Sequence, residues 1–213
     1  MELINYLNKT FFTKQQLLDV SKVTEQQLLK YQQDGVMPKC SYRLNLTFKS
    51  DSFLGEYNDV QEVEYYAKGY SSWLAIVQSL DSKDVIYSVF STRYKAAINQ
   101  LNEQGHYSEN PKITSGLDAH IQDEWQHFLN GTYGLCTKSG LPEDIAAKEF
   151  SIIVINELSQ PNQLTSEQTN KLRLAVDLLD SASSWFAPHE RLTSSRHRLV
   201  NEIRRKYQLE KKQ

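Results

Sequence analysis

Near its start the chain has two stretches in which apolar residues follow a polar residue at helical spacing. Thr13 and Thr24 are each followed by a glutamine three residues later and by leucines in the next turn. This is the pattern of a capping box, so it predicts two short helices joined by a turn. Gly35 ends the second helix as a C-cap. Apolar and polar residues then alternate from Tyr42 to Phe48, which predicts a half-buried strand.

The middle of the chain has a less regular pattern. Residues 50–57 are polar with a glycine and indicate a loop, and aromatic side chains crowd into residues 60–80. We interpret this aromatic stretch as helical, with a break near Gly69. A further helix is predicted over residues 84–101, although its β-branched start leaves a strand open as the alternative. Residues 102–115 contain glycine, proline and several polar residues, and are the candidate linker.

The C-terminal half shows clear helical periodicity. An apolar residue recurs every turn in one stripe, formed by Leu117, Ile121, Trp125 and Phe128. Asn130 and Gly131 end that helix. Pro142 is followed by two carboxylates, which is typical of a helix start. Further helices are predicted from Thr165 or Ser166 and from Ser194.

These elements predict a mainly α fold. An N-terminal winged helix-turn-helix-like unit occupies residues 1–50, and a helical bundle domain occupies residues 51–213.

Charge and cysteine content narrow the function classes. A net charge of −2 and a pI near 6.2 argue against a chain coated in nucleic acid or lying on an anionic membrane. The first residues do not resemble a signal peptide, and no apolar run approaches the roughly 18 residues of a membrane helix. Cys40 and Cys136 are far apart in sequence, and we interpret both as free thiols in a cytoplasmic protein.

The densest candidate chemistry lies on the helix that carries the apolar stripe. His120, Glu124 and His127 have i, i+4, i+7 spacing, which places them on one face. Glu124-x-x-His127 has the spacing of carboxylate-bridged metal bundles, but the second such pair is missing, so no metal site is predicted. The alternative is that both histidines form hydrogen bonds beside the core.

The loop from Asn130 to Thr137 follows directly. Two glycines bracket Thr132 and Tyr133 in this loop, and Cys136 lies near its end. We predict catalytic residues His127, Glu124, Tyr133 and Cys136 where this loop meets the helix. His127 acts as acid or base because a cationic imidazole is favoured at a helix C-terminus. Glu124 orients a histidine and Tyr133 donates a hydrogen bond. Cys136 is a nucleophile if His127 activates it, and otherwise a small buried apolar residue. No cofactor is predicted.

The two N-terminal helices resemble the DNA-binding head of MerR-type regulators. The matching segments are Phe12–Leu18, Val23–Tyr31 and Gly35–Pro38. The chain has Leu29 where those regulators usually carry an arginine, and arginine is a main source of contacts to phosphates and guanine edges. A helix-turn-helix used for packing or docking is therefore the alternative.

Across most of its length the chain resembles an uncharacterised bacterial family of natural-product biosynthesis proteins. The segments that carry the resemblance are Tyr6-Leu7, Gly35–Pro38 with Ser41-Tyr42, Trp125-x-x-Phe128, Gly131–Thr137 and Lys148-Glu149. The resemblance implies an enzyme or accessory protein that acts on a small molecule or on a biosynthetic partner protein. The alternative is a MerR-like transcriptional regulator of a biosynthetic cluster, with nucleic acid as partner. The oligomeric state stays open.

Overall fold

The computed structural model describes residues 2–160 and 163–209. The N-terminal part alternates short helices with strands. Its elements, in chain order, are α1 (Glu2–Thr10), β1 (Phe11–Thr13), α2 (Lys14–Ser21), α3 (Glu25–Gln33), β2 (Tyr42–Ser52) and β3 (Gly55–Ala67).

The rest of the described chain is helical. Its helices are α4 (Tyr70–Ser79), α5 (Lys83–Glu103), α6 (Leu117–Leu129), α7 (Thr132–Cys136), α8 (Pro142–Leu158), α9 (Ser166–Ala182) and α10 (Glu202–Tyr207). Short 3-10 turns form at Pro111–Ile113 and Arg191–Thr193, and a π-helical turn at His197–Asn201 leads into α10. None of the helices in the described ranges is long and apolar enough to span a membrane.

The predicted caps at the start of α2 and α3 are confirmed. The Thr13 hydroxyl accepts from the Gln16 backbone N–H, and the Gln16 side chain accepts from the Thr13 backbone N–H. Thr24 and Gln27 form the same reciprocal pair. Each box satisfies two N–H groups that a helix start otherwise leaves without partners, so these short helices begin where the sequence indicates.

The three strands form one antiparallel sheet in the order β1-β3-β2. β2 and β3 are a long hairpin whose register runs from Tyr42 opposite Tyr65 to Ser52 opposite Gly55. Only two residues, Phe53 and Leu54, connect the strands. The outer half of the hairpin projects away from the rest of the molecule, and its side chains are largely exposed.

The predicted mainly α fold is wrong. The structure is mixed α/β, because β3 occupies residues that the sequence assigned to a loop and a helix within the helical domain 51–213. Between residues 57 and 65 the tyrosine and valine side chains can pair across strands as well as pack on a helix. The alternating strand β2 gives them that partner, and cross-strand pairs of aromatic and β-branched residues stabilise a sheet.

Aromatic rings form the centre of the main core. Trp73 and Trp125 pack with Phe90 and Phe128 at centroid distances of 5.0 to 6.2 Å. These rings come from α4, α5 and α6, so the core fixes α6 against α5. Trp185, by contrast, is 69% exposed beside the Arg196 guanidinium. A second, smaller cluster lies under the base of the hairpin and consists of Leu7, Phe11 and Tyr65.

Candidate active site

A cavity of about 590 Å³ opens between α6, α8 and the 3-10 turn before α6. Its wall combines ionisable groups with an apolar side formed by Ile152 and Ile153. The ionisable residues that line it are Lys112, His120, Asp123, Glu124, His127 and Glu149.

Four side chains form a connected polar network at the buried end of the cavity. The Tyr133 hydroxyl donates a hydrogen bond to Glu124 Oε2. Glu124 Oε1 lies 3.4 Å from His120 Nδ1, and His120 Nε2 is hydrogen-bonded to the Tyr94 hydroxyl at 3.3 Å. Glu124 is 7% exposed, so its carboxyl group obtains its polar contacts mainly from this network. The arrangement links the two ring nitrogens of the imidazole to a carboxyl and a phenol.

Burial shifts the pKa values of Glu124 and His120 toward each other. It raises the pKa of the Glu124 carboxyl above its usual value, although the Tyr133 hydrogen bond opposes the shift. Burial also lowers the pKa of the His120 imidazole. Both shifts follow because a low-dielectric site disfavours the charged form of each group. The two shifts reduce the difference in acidity between the carboxyl and the imidazole, which favours proton transfer between them.

Lys148 supplies a buried positive charge on the other side of Tyr133. Its ammonium donates to Glu149 Oε1 at 2.8 Å and lies 5.6 Å from the centre of the Tyr133 ring. Burial alone would lower the pKa of Lys148, but its interactions with Cys136, Glu149 and Glu124 raise it overall. The ammonium is therefore charged and partly neutralises the carboxylates of the cavity.

The segment that carries Tyr133 is held close to the base of the hairpin. Gly131 has φ +83, and a side chain there would meet the backbone oxygen of Cys40 at 2.6 Å. At Gly134 a side chain would meet the hydroxyl of buried Tyr70 at 2.7 Å. The predicted loop is instead the short helix α7, which turns Tyr133 back toward α6. The two glycines permit this close packing.

The structure brings three of the four predicted site residues together. Glu124 and His127 line the cavity, and Tyr133 lies behind Glu124 and donates to it. Cys136 is 9% exposed and does not line the cavity. Burial raises the pKa of its thiol to about 11, which is the opposite of the activation by His127 that the sequence suggested. This environment favours the alternative, a small buried apolar residue.

Sequence reasoning did not select Tyr94, Lys148 or Glu149 as site residues. Tyr94 lies at core spacing after Ile86 and Phe90 in α5, and nothing in that pattern reveals where its hydroxyl points. Lys148 did give a signal, because it stands among the apolar residues of α8. The structure shows that its position is buried. A lysine on a buried helix face needs a carboxylate partner, which Glu149 provides.

Within the described ranges no group of three or more His, Cys, Asp or Glu side chains is arranged to hold a metal ion. Glu124 and His120 contact each other, and each is also hydrogen-bonded to one tyrosine, Tyr133 or Tyr94. This pair of groups can take part in proton transfer and hydrogen bonding.

Comparison with known proteins identifies one family. Residues 86–208, more than half of the chain, match the model described as Family of unknown function (DUF6058), and the protein belongs to that family. The matched region contains α6, α7 and α8 and therefore the whole cavity. No curated protein and no solved structure matches the chain. The description of the family names no activity, so the natural-product setting and the MerR likeness remain predictions.

Proposed function

We propose that this protein binds a small molecule in the cavity between α6 and α8 and acts on it by proton transfer. In line with the resemblance stated above, its setting is bacterial natural-product biosynthesis. The observation that carries the proposal is the network Tyr94–His120–Glu124–Tyr133, which ends on a cavity large enough for a metabolite. Connected titratable groups with shifted pKa values in a cleft are typical of functional sites.

Each polar residue has a distinct role in this proposal. His120 and Glu124 form the pair that takes up and returns a proton, because their acidities converge. Tyr133 fixes the orientation of the Glu124 carboxyl, and Tyr94 fixes the ring of His120. His127 lies one turn away on the exposed rim of the same cavity, where it serves as a second acid or base for the ligand.

The lining indicates the chemistry of the ligand. Asp123 and Glu149 place carboxylates on the cavity wall, and Lys112 is the cation among the lining residues. Ile152 and Ile153 form an apolar side. These walls suit a small molecule that has an amine or another hydrogen-bond donor at one end and a hydrocarbon part at the other.

A ligand screen tests the proposal directly. Thermal unfolding in the presence of individual metabolites, amines included, should reveal ligands that raise the melting temperature. Glu124→Gln keeps the shape of the side chain but loses the charge. It should weaken a cavity ligand about tenfold or more, because charge-assisted hydrogen bonds contribute about 1.5–3 kcal/mol. The matched control is His189→Gln at an exposed histidine outside the cavity.

Proton transfer is then followed by nuclear magnetic resonance of the bound ligand in heavy water. Exchange of a carbon-bound hydrogen for deuterium with the wild-type protein, and its loss in Glu124→Gln and His120→Gln, would support the reaction. Ligands that bind equally well to wild type and to Glu124→Gln would show that the cavity is not the site.

One observation favours the second candidate, a DNA-binding regulator. Helices α2 and α3 are joined by a short turn and followed by a β-hairpin, and α3 exposes Gln26 and Lys30. Against it, Glu25 at the start of α3 is negative and forms an ion pair with Lys14 at 2.6 Å. Selection from random DNA should enrich a sequence whose binding weakens steeply with salt if this candidate is correct.

A further inference from the structure

The outer part of the β2–β3 hairpin, residues 46–61, has no role in the cavity; we call it the arm. Its connecting residues are the most exposed large apolar side chains of the described chain, with Phe53 103% and Leu54 92% exposed. Tyr57 and Val60 are 63% and 72% exposed. Exposed apolar residues gathered in one place mark an interaction surface more often than scattered ones do.

The two faces of the arm differ in chemistry. Directly opposite residues of an antiparallel pair share a face, so the register places Leu46, Phe48 and Tyr57 on one face. Gln61 and Asp59 lie at the strand partners of Leu46 and Phe48 on that face, and Val60 lies on the other face. This apolar face continues from Leu44 and Val63, which pack against the small cluster under the sheet. The other face is mainly polar and carries Arg43, Lys49, Asp51, Glu56, Glu62 and Glu64. The apolar face is therefore covered at the base of the hairpin and uncovered along the arm.

The arm also has a free hydrogen-bonding edge. In the sheet order β1-β3-β2, strand β2 lies at one side, and no further strand of the described chain pairs with it. A strand of eleven residues at a sheet edge is a template for pairing with another chain. Folded proteins usually shorten, bend or cover such an edge.

We propose that the edge of β2 pairs with β2 of a second copy of this protein, antiparallel and with Thr47 opposite Thr47. A two-fold axis perpendicular to the sheet keeps both apolar faces on the same side. In this register Leu46 lies opposite Phe48 of the second copy, which joins the two apolar faces. On the other face Arg43 lies opposite Asp51 of the second copy, and the pair occurs twice because the contact is symmetric.

Charge complementarity selects this register over its neighbours. With the axis at residue 46, Arg43 would face Lys49, and with the axis at residue 49, Lys49 would face its own copy. With the axis at residue 48 no opposite charges meet along the strand. With the axis at residue 50, Lys49 would face Asp51, but only residues 48–52 of each strand would overlap, whereas the axis at Thr47 pairs the whole of β2. Opposite charges directly across a strand pair stabilise it and like charges destabilise it, so the axis at Thr47 combines favourable charges with the longest pairing.

The same register provides cover for the tip of the arm. Because position 53 of one copy lies level with position 41 of the other, Phe53 and Leu54 extend past the base of the second hairpin. That base is anchored to the body, where the Tyr42 hydroxyl donates to Glu190 at 2.5 Å. The tip of each arm thus lies beside the body of the other copy.

Charge reversal tests the pairing by sedimentation equilibrium of the full chain. Wild type should form dimers. Asp51→Arg places two arginines opposite each other, and Arg43→Asp places two aspartates opposite each other. Each variant alone should raise the dimer dissociation constant at least about tenfold. Mixing the two variants should restore dimers, since both contacts of the mixed pair then join an arginine to an aspartate.

Two controls keep the test decisive. Asp19→Arg makes the same charge change on an exposed position of α2 and should leave dimerisation unchanged. Thermal unfolding of each variant confirms that it folds, which matters for Arg43→Asp because Arg43 also contacts Glu64 at 2.6 Å within the chain. A monomeric wild type, a dimer insensitive to Asp51→Arg, or binding of the arm to lipid vesicles by a monomeric protein would overturn the proposal.

Discussion

The cavity and the arm depart from the usual distribution of residues in opposite directions. At the cavity, charged and polar side chains such as Glu124 and Lys148 are buried, although burial penalises charge. On the arm, Phe53 and Leu54 are in water, although exposure penalises apolar surface. The cavity side chains find partners within the chain, whereas those at the tip of the arm do not. Buried polar groups with internal partners indicate chemistry, and exposed apolar groups without them indicate an external contact.

Replacing Lys148 should produce the largest effect, because its buried positive charge balances carboxylates near the cavity. Lys148→Met should lower the free energy of unfolding by about 3 kcal/mol, because it leaves Glu149 and Glu124 without their nearest buried cation. Urea unfolding measures the loss. Lys112→Met, at the exposed rim, should change stability by less than about 0.5 kcal/mol. Equal effects of the two variants would contradict the role given to Lys148.

Removing one hydroxyl group should have an intermediate effect. Tyr133→Phe deletes the donor to Glu124 and leaves a buried carboxyl oxygen without that hydrogen bond. We expect a loss of about 1–3 kcal/mol in urea unfolding. The pKa of Glu124 should rise further, because the lost hydrogen bond lowers it in the wild type. Tyr107→Phe, at an exposed tyrosine, is the control and should be neutral.

Glu124 and His120 should make the stability of the fold depend on pH in opposite directions. The folded-state pKa of Glu124 is raised from 4.5, so its contribution to stability is present at low pH and is lost as pH rises through that pKa. The pKa of His120 is lowered from 6.5, so its contribution is present at higher pH and is lost as pH falls. Each effect is at most about 1.4 kcal/mol per pH unit.

Two variants separate these contributions in urea unfolding between about pH 4.5 and pH 7.5. Relative to wild type, Glu124→Gln should gain stability as the pH rises, and His120→Gln should gain stability as it falls. Parallel curves for wild type and both variants would mean that neither group changes its acidity on folding.

Changes at the tip of the arm should have the smallest effect on the free energy of unfolding, unlike changes at the cavity. The double change Phe53→Ser and Leu54→Ser should alter the unfolding free energy of the monomer by less than about 0.5 kcal/mol, because both side chains are already in water. Dilute protein measured by chemical unfolding keeps association out of the result. A loss of several kcal/mol would show that these side chains pack within their own chain.

The parts of the fold that were predictable are those with local signals. Thr13 and Thr24 each form the capping box that their glutamines indicate. Helix α9 begins after Thr165, where a helix start was predicted. The stripe from Leu117 to Phe128 became the buried face of α6. β3 was missed because its partner strand, and not its own sequence, decides its conformation.

The candidate site shows the same limit. The spacing of His120, Glu124 and His127 placed them on one helix face, and that face lines the cavity. Their partners Tyr94 and Lys148 come from α5 and α8, and contacts between distant helices leave no periodic trace in one sequence. For Cys136 the sequence showed the residue type but not the depth of burial, which decides its acidity.

Because the tryptophans differ in exposure, their fluorescence reports on different parts of the protein. Trp73 and Trp125 are 0% and 3% exposed in the core around α6, whereas Trp185 is 69% exposed. A quencher dissolved in the buffer therefore reaches mainly the emission of Trp185 in the folded state. The red shift on unfolding, in contrast, comes chiefly from the two buried indoles. Emission colour and quenching thus separate events near the cavity helix from events at the surface, without any added dye.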